Sequence, residues 1–145
     1  MMNKIKKLDN HFIICGYGRM GAVIAAELNE QNIPFIIVEK NAEKVEQIRE
    51  LGMYRVHGDA TLDDILLSAS VDNARGIAVA LNTDQDNLFV TMTIRSLNAE
   101  AFLLSRCANN QNKSKLIRSG ANKVINPYIA GGHRMVEMLL RPGIT

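Results

Sequence analysis

The sequence has little charge of either sign to spare. Seventeen lysines and arginines stand against fifteen acids, a formal net charge of +2, too small to indicate nucleic acid as a partner. The one local basic cluster, Lys4, Lys6 and Lys7, reads as a solvated lead-in over residues 1–10 and not as a binding arm. Long apolar runs are missing too. Nothing approaches the roughly 18 residues of a membrane helix, and no signal peptide is recognisable, so a cytoplasmic location is expected. Cysteine is scarce. Cys15 and Cys107 lie far apart, outside any C-x-x-C, each at the end of an expected buried strand. Two core thiols in a reducing compartment are expected, with no disulfide framework. The three histidines, His11, His57 and His133, are scattered without ligand spacing, which argues against zinc.

What is present is a single domain's worth of chain. At 145 residues, 47% of them apolar, one core can be buried but not two. Short apolar blocks at His11–Cys15, Phe35–Glu39, Arg55–His57, Ile77–Leu81, Phe102–Ser105 and Lys123–Ile125 are continuous instead of alternating. That is the pattern of parallel strands covered on both faces. Helical periods separate them. The first runs from Arg19 to about Gln31, with Met20, Val23, Ile24 and Leu28 as its expected buried side. The second runs from Ala42 to Leu51, capped by Asn41 and closed by Gly52. The third follows Thr61, paired with Asp64 as a short-armed capping box. The fourth starts near Thr83, and the fifth ends at Gly120. Repeated strand–helix alternation with short connections requires right-handed crossovers and a doubly wound α/β sheet. RELGMYRVHGD and LIRSGANKVINP echo each other: a helix end, a glycine cap, then a short strand.

The segment IAGGHRMVEMLLRPGIT after Pro127 is different, because the six strands are already complete. Its apolar positions Ile129, Met135, Val136, Met138, Leu139 and Leu140 fit either a helix folded back on the sheet edge or one offered to another chain.

Chemistry concentrates at IICGYGRMG. Three glycines in G-x-G-x-x-G spacing follow a strand and open a helix, and Glu39 ends the next strand eighteen residues after Gly21. Each part has a physical task. Gly16 permits the tight exit from the strand. Gly18 removes a side chain where main-chain amides must touch a phosphate, and Gly21 lets the helix approach the sheet. Unpaired amides at that helix start attract an anion. Arg19 stands beside them. Glu39 can accept the ribose hydroxyls and repels a 2′-phosphate, an exclusion that Lys40 weakens slightly. Further along, Asp59 could take a hydrogen bond from an adenine amino group or could simply start the turn before Thr61. Asn82 closes the fourth strand and Arg106 the fifth, where a guanidinium could reach a phosphate.

In order and spacing, CGYGRMG, VEK, HGDAT, ALNTDQDN, SRCAN and SGANKVINPYIAGG resemble the N-terminal half of the RCK, or KTN, domain, the cytoplasmic regulator of conductance of potassium. The resemblance covers about residues 10–142. It implies a Rossmann-like six-stranded parallel domain over residues 11–128 that binds NAD(H), ADP, ATP or AMP and forms a homodimer. It also implies assembly into a ring that acts on the pore subunit of a potassium channel or transporter at the inner face of the membrane. By the same resemblance Gly16, Tyr17, Gly18, Arg19, Met20 and Gly21 face the phosphate. Glu39 and Lys40 belong to the ribose site, Asp59 and Ala60 to the adenine edge, and Arg106 to a phosphate contact. Residues 129–145, helical from about His133, correspond to a crossover helix that packs on a partner protomer and leads to a second subdomain not present in this sequence. The lead-in NKIKKLDNH and the wording CGYGR favour pore-linked members. The positions at which calcium-gated members carry carboxylates are Ala80, Arg106 and Ala108 here, so calcium gating through them is not expected.

Three functions remain open on the residues alone: a nucleotide-sensing module, an NAD-dependent oxidoreductase, and an interaction module with a vestigial glycine turn. Hydride transfer requires a substrate pocket and a positioned acid or base, and the scattered histidines supply neither.

Overall fold

The computed structural model of the chain describes residues 8–143; the basic cluster at Lys4, Lys6 and Lys7 lies outside them. Six strands form one parallel sheet in the order β3-β2-β1-β4-β5-β6. They are β1 (Phe12–Cys15), β2 (Phe35–Glu39), β3 (Arg55–His57), β4 (Gly76–Val79), β5 (Phe102–Arg106) and β6 (Lys123–Ile125). The helices between and after them are α1 (Arg19–Glu30), α2 (Ala42–Glu50), α3 (Asp63–Ser68), α4 (Asp84–Leu97), α5 (Lys113–Arg118) and α6 (Pro127–Leu140). The order reverses between β1 and β4, where Cys15 lies level with Val79. That is the doubly wound arrangement expected from the apolar blocks.

Successive side chains of a strand point to opposite faces, and two cores result. Ile14 and Ile37 pack with Ala25 of α1 and Ile48 of α2. On the other face Ile13, Cys15, Ile36 and Val38 pack with Leu66 of α3, Val90 and Ile94 of α4, and Leu116 of α5. The isoleucines are fully buried, each contributing about 1.5–3 kcal/mol.

Three of the six helix ends follow one design. In α1, α2 and α5 the last turn closes with an amide five residues beyond its carbonyl: Ile33 to Leu28, Met53 to Ile48, Ala121 to Leu116. The residue before that amide is left-handed each time, namely Asn32, Gly52 and Gly120. The echo between the two sequence segments is therefore a real structural repeat. The Arg95 guanidinium, in the last turn of α4, donates to the carbonyls of Asn98, Ala99, Ala101 and Gly120 and to Asn122 Oδ1, tying two loops together.

Four local expectations change, and one open alternative is decided. Val23 is exposed at 58%: Gly21 and Ala25 form the buried face of α1, and Val23 stands about 200° around the helix from Gly21. Thr61 does not cap α3. Its amide and hydroxyl both donate to Asp59 Oδ1 at 2.9 and 2.8 Å, and Leu62 holds the cap position without a side-chain bond. The fourth strand ends at Val79 because the Asn87 amide engages both the N–H and the carbonyl of Leu81. The last helix starts at Pro127, well before His133, since Asn126 accepts from the amides of Tyr128 and Ile129 and proline suits a first helical position. That helix also does not fold back: no residue of α6 is buried, and Leu139 and Leu140 are 79% and 72% exposed.

Candidate functional site

The carboxyl ends of the strands meet at the turn between β1 and α1, and its three glycines have three different reasons to be glycine. Gly16 has a φ of +100°, and a Cβ there would lie 2.6 Å from the Ala80 carbonyl oxygen, so the turn is wedged against the end of β4. A Cβ on Gly21 would lie 2.0 Å from the Gly16 carbonyl oxygen; the helix runs directly against the turn. Gly18 is unlike both. Its φ and ψ of −81° and −160° suit any residue, and a Cβ would meet nothing closer than Asn82 Oδ1 at 3.8 Å. The protein's own packing does not require glycine there. What the missing side chain leaves is open space over the start of α1.

That helix start has no side-chain cap, whereas the three other helices of nine or more residues are capped by Asn41, Thr83 and Asn126. The amides of the first turn of a helix have no intrahelical acceptor, and together with the helix dipole they favour an anion.

Glu39 is buried at the end of β2. Its Oε1 accepts the Tyr17 amide at 2.7 Å and its Oε2 the Asn41 amide at 2.8 Å. The carboxylate thus fastens the glycine turn to the start of α2 and retains lone pairs that neither amide uses. Asp59 has the turn role described above. The Thr61 amide, then its hydroxyl, holds the Asp59 carboxyl below the usual carboxylate range; only Oδ1 is engaged, leaving Oδ2 to the cavity.

A cavity of about 230 Å³ joins these groups. Gly16, Tyr17, Gly18, Glu39, Lys40, Asp59, Ala60 and Asn82, all singled out in the sequence, line it together. Arg19, Met20, Gly21 and Arg106 do not: Arg19 is exposed at the start of α1 and Arg106 half-buried at the end of β5. Of the other lining residues, three carry polar side chains that the sequence reading did not place in the site, namely Lys44, Thr61 and Asp86. Lys44 sits three residues beyond the Asn41 cap, a spacing that could have placed it at the rim end of α2. Nothing local marks Asp86.

Beyond the cavity, Asp84 at the start of α4 accepts the amides of Ala108 and Asn109 and the side chain of Asn112. Partial burial pushes its carboxyl up, but those three donors outweigh it, and the group titrates below its ordinary value. Burial pushes the Cys15 thiol up to about 12, which suits a core thiol and not a nucleophile. Among the described residues, no group of three or more histidines, cysteines or acids could hold a metal ion.

A six-stranded parallel sheet in this order, with a glycine turn and a rim cavity at its switch point, defines a Rossmann-like domain. The chain belongs to the TrkA-N domain family, which it matches over residues 12–127, and is a regulatory domain of that family. It is 38% identical over its whole length to potassium channel protein 1 of Methanocaldococcus jannaschii. It is 42% identical, over 99% of its length, to probable potassium channel protein 2 of the same organism. It spans 44% and 43% of those two proteins, less than half their length. Among solved structures, the TrkA-N domain of the inner membrane protein YbaL from Escherichia coli shares the fold, with a TM-score of 0.88 at 23% identity over 92% of this chain and 98% of that one. The GsuK channel bound to ADP superposes with a TM-score of 0.75 at 26% identity, over 83% of this chain and 32% of that one. GsuK has also been solved bound to NAD.

Proposed function

We propose that this chain is the ligand-sensing unit of a potassium channel or potassium transport system, holding an adenine nucleotide at the rim cavity. The observation that carries the reading is Gly18. Its backbone needs no glycine and its neighbours leave a side chain room, yet the open space lies over an uncapped helix start. A phosphate there would be met by first-turn amides. Glu39 would receive ribose hydroxyls on the lone pairs not used by Tyr17 and Asn41, and Lys40 would stand beside it. Asp59 Oδ2 and Ala60 would face the adenine edge. Asn82 would close the mouth opposite Gly18, with Arg19 and Arg106 as outlying positive charges along the rim. The ligand class is NAD(H), ADP, ATP or AMP, supported by the ADP and NAD complexes of GsuK; the Glu39 carboxylate opposes a 2′-phosphate and so disfavours NADP.

The output is mechanical. Two copies pair through the exposed apolar stripe of α6, and the pair acts on a pore partner at the inner face of the membrane. Among the described residues no helix is long and apolar enough to cross a membrane, so the pore is another segment or another chain. Ligand binding biases the pore only as far as affinity differs between the two arrangements, typically about 1–3 kcal/mol.

Thermal unfolding with and without ADP, AMP and NAD(H) tests the site. The wild-type chain should melt at a higher temperature with nucleotide, and Gly18→Val should lose that shift while keeping its circular dichroism. No shift with any of these nucleotides in the wild type contradicts the reading.

A further inference from the structure

Asp84 and Asp86 both stand in the first turn of α4, and the fold uses only one of them. Asp84 accepts the amides of Ala108 and Asn109 and the side chain of Asn112. Asp86 gives its main-chain amide to Thr83 Oγ1 at 3.1 Å. Among the described residues its carboxylate has neither a hydrogen bond nor an ion pair. An acid at the third position of a helix can turn back to bond the amide of the cap residue. Asp86 does not; half-buried, it lines the cavity beside the glycine turn.

The cavity's charges are unevenly placed. Lys40 and Lys44 line it from the end of β2 and the first turn of α2, on the same side as Glu39 and Asp59. On the β4 side the lining is Ala80, Leu81, Asn82 and Asp86, a carboxylate without a lysine or arginine beside it in the wall. Asn82 joins this side to the start of α1: its Oδ1 is the nearest atom, at 3.8 Å, to where a side chain on Gly18 would begin. Among the described residues the Asn82 side chain also has no hydrogen-bond partner. Arg19 is exposed at the start of α1 and stands outside the lining.

An ionised carboxylate accepts hydrogen bonds and donates none, and in a partly buried place it opposes a like charge. In this fold a dinucleotide crosses the switch point, its adenosine over one half of the sheet and its second nucleoside over the other. Beyond a diphosphate at the glycine turn, ATP continues with a further phosphate, whereas NAD continues with a neutral ribose bearing two hydroxyls. Resting on the nucleotide site proposed above, we infer that Asp86 is the specificity-determining residue on the β4 side. Its carboxylate accepts the hydroxyls of a second ribose, with Asn82 beside it, and turns away a third phosphate. Glu39 and Asp86 then hold the two sugars of a dinucleotide from opposite sides of β1. The chain answers to NAD(H) in preference to ATP.

Calorimetry with AMP, ATP and NAD+, at fixed ionic strength and without divalent cations, tests this on the wild-type 145-residue chain, Asp86→Ala and Asp86→Asn. The wild type should bind NAD+ at least about tenfold tighter than ATP. Asp86→Ala should cut that preference at least about tenfold, with NAD+ weaker and ATP tighter, while AMP stays within about twofold of wild type. Asp86→Asn loses the charge and keeps an acceptor, so it should gain ATP affinity as alanine does and lose less for NAD+. A wild type that binds ATP as tightly as NAD+, or a preference unchanged in both variants, would overturn the inference while AMP binding leaves the nucleotide site intact. Equal losses for all three ligands would mark Asp86 as structural and overturn it as well. Failure of all three to bind the wild type would overturn the site and this inference together.

Discussion

The glycine turn holds two positions that the fold requires to be glycine, Gly16 and Gly21, and one that it does not, Gly18. Replacing Gly16 with alanine puts a Cβ 2.6 Å from the Ala80 carbonyl oxygen at a φ of +100°, so the variant should lose about 2–4 kcal/mol in urea unfolding. At Gly18 a Cβ meets no such contact, and Gly18→Val should cost about 1 kcal/mol or less, mostly through the poorer helix start. A large loss at Gly18 would mean that its glycine serves the fold after all. The depressed carboxylates carry a second expectation. Asp59 and Asp84 titrate below their ordinary values, so the folded state binds fewer protons there than the unfolded chain. Their stabilisation is present above the unfolded value of about 3.9 and is lost as the pH falls through the lower folded values. Acid titration of Asp84→Asn should show a shallower fall in stability below about pH 4 than wild type, and an unchanged profile would contradict the role given to Asp84.

At the scale of elements, strands were legible because their signal is local. A block such as FIIVE is buried at every position, and continuous apolar sequence states this directly. Glycine closures at Gly52 and Gly120 were equally plain, while Asn32 performs the same left-handed closure with a residue that has other common uses. What stayed hidden depends on partners distant in sequence. The end of β4 is set by Asn87, the failed cap at Thr61 by Asp59, and the rotation of α1 by the contact of Gly21 with Gly16. The glycine turn and Glu39 could be read from spacing, whereas Asp86 joins the cavity only because α4 starts beside the switch point. Arg95 belongs here too. Its guanidinium serves five acceptors across two loops, and Arg95→Ala leaves several of them without a donor. A loss of about 2–4 kcal/mol is expected, with Arg95→Lys recovering only part of it because an ammonium cannot span the same fork. Denaturant melts of the two variants beside wild type settle the point; an Arg95→Lys chain as stable as wild type would show that charge alone matters.

For the whole molecule, the unfinished surface is α6. Tyr128, Met135, Leu139 and Leu140 are each at least 67% exposed on it, and a helix with an apolar stripe is ordinarily covered. The proposal that a second copy covers it predicts a dimer in sedimentation at about 50 µM, a concentration that populates a contact of micromolar affinity. Leu139→Glu with Leu140→Glu should give a monomer with its melting cooperativity retained, because neither side chain belongs to either core. A wild-type chain that sediments as a monomer would remove self-pairing and leave α6 to a different partner.

The central claim is that main-chain amides at the start of α1 hold a nucleotide's phosphate in the space Gly18 leaves open. Isothermal calorimetry of ADP with the wild-type chain and with Gly18→Val tests it most directly. Saturable binding to the wild type and at least about tenfold weaker binding to the variant are expected, with both chains equally folded. Equal affinities for the two chains, or no binding by the wild type, would contradict it.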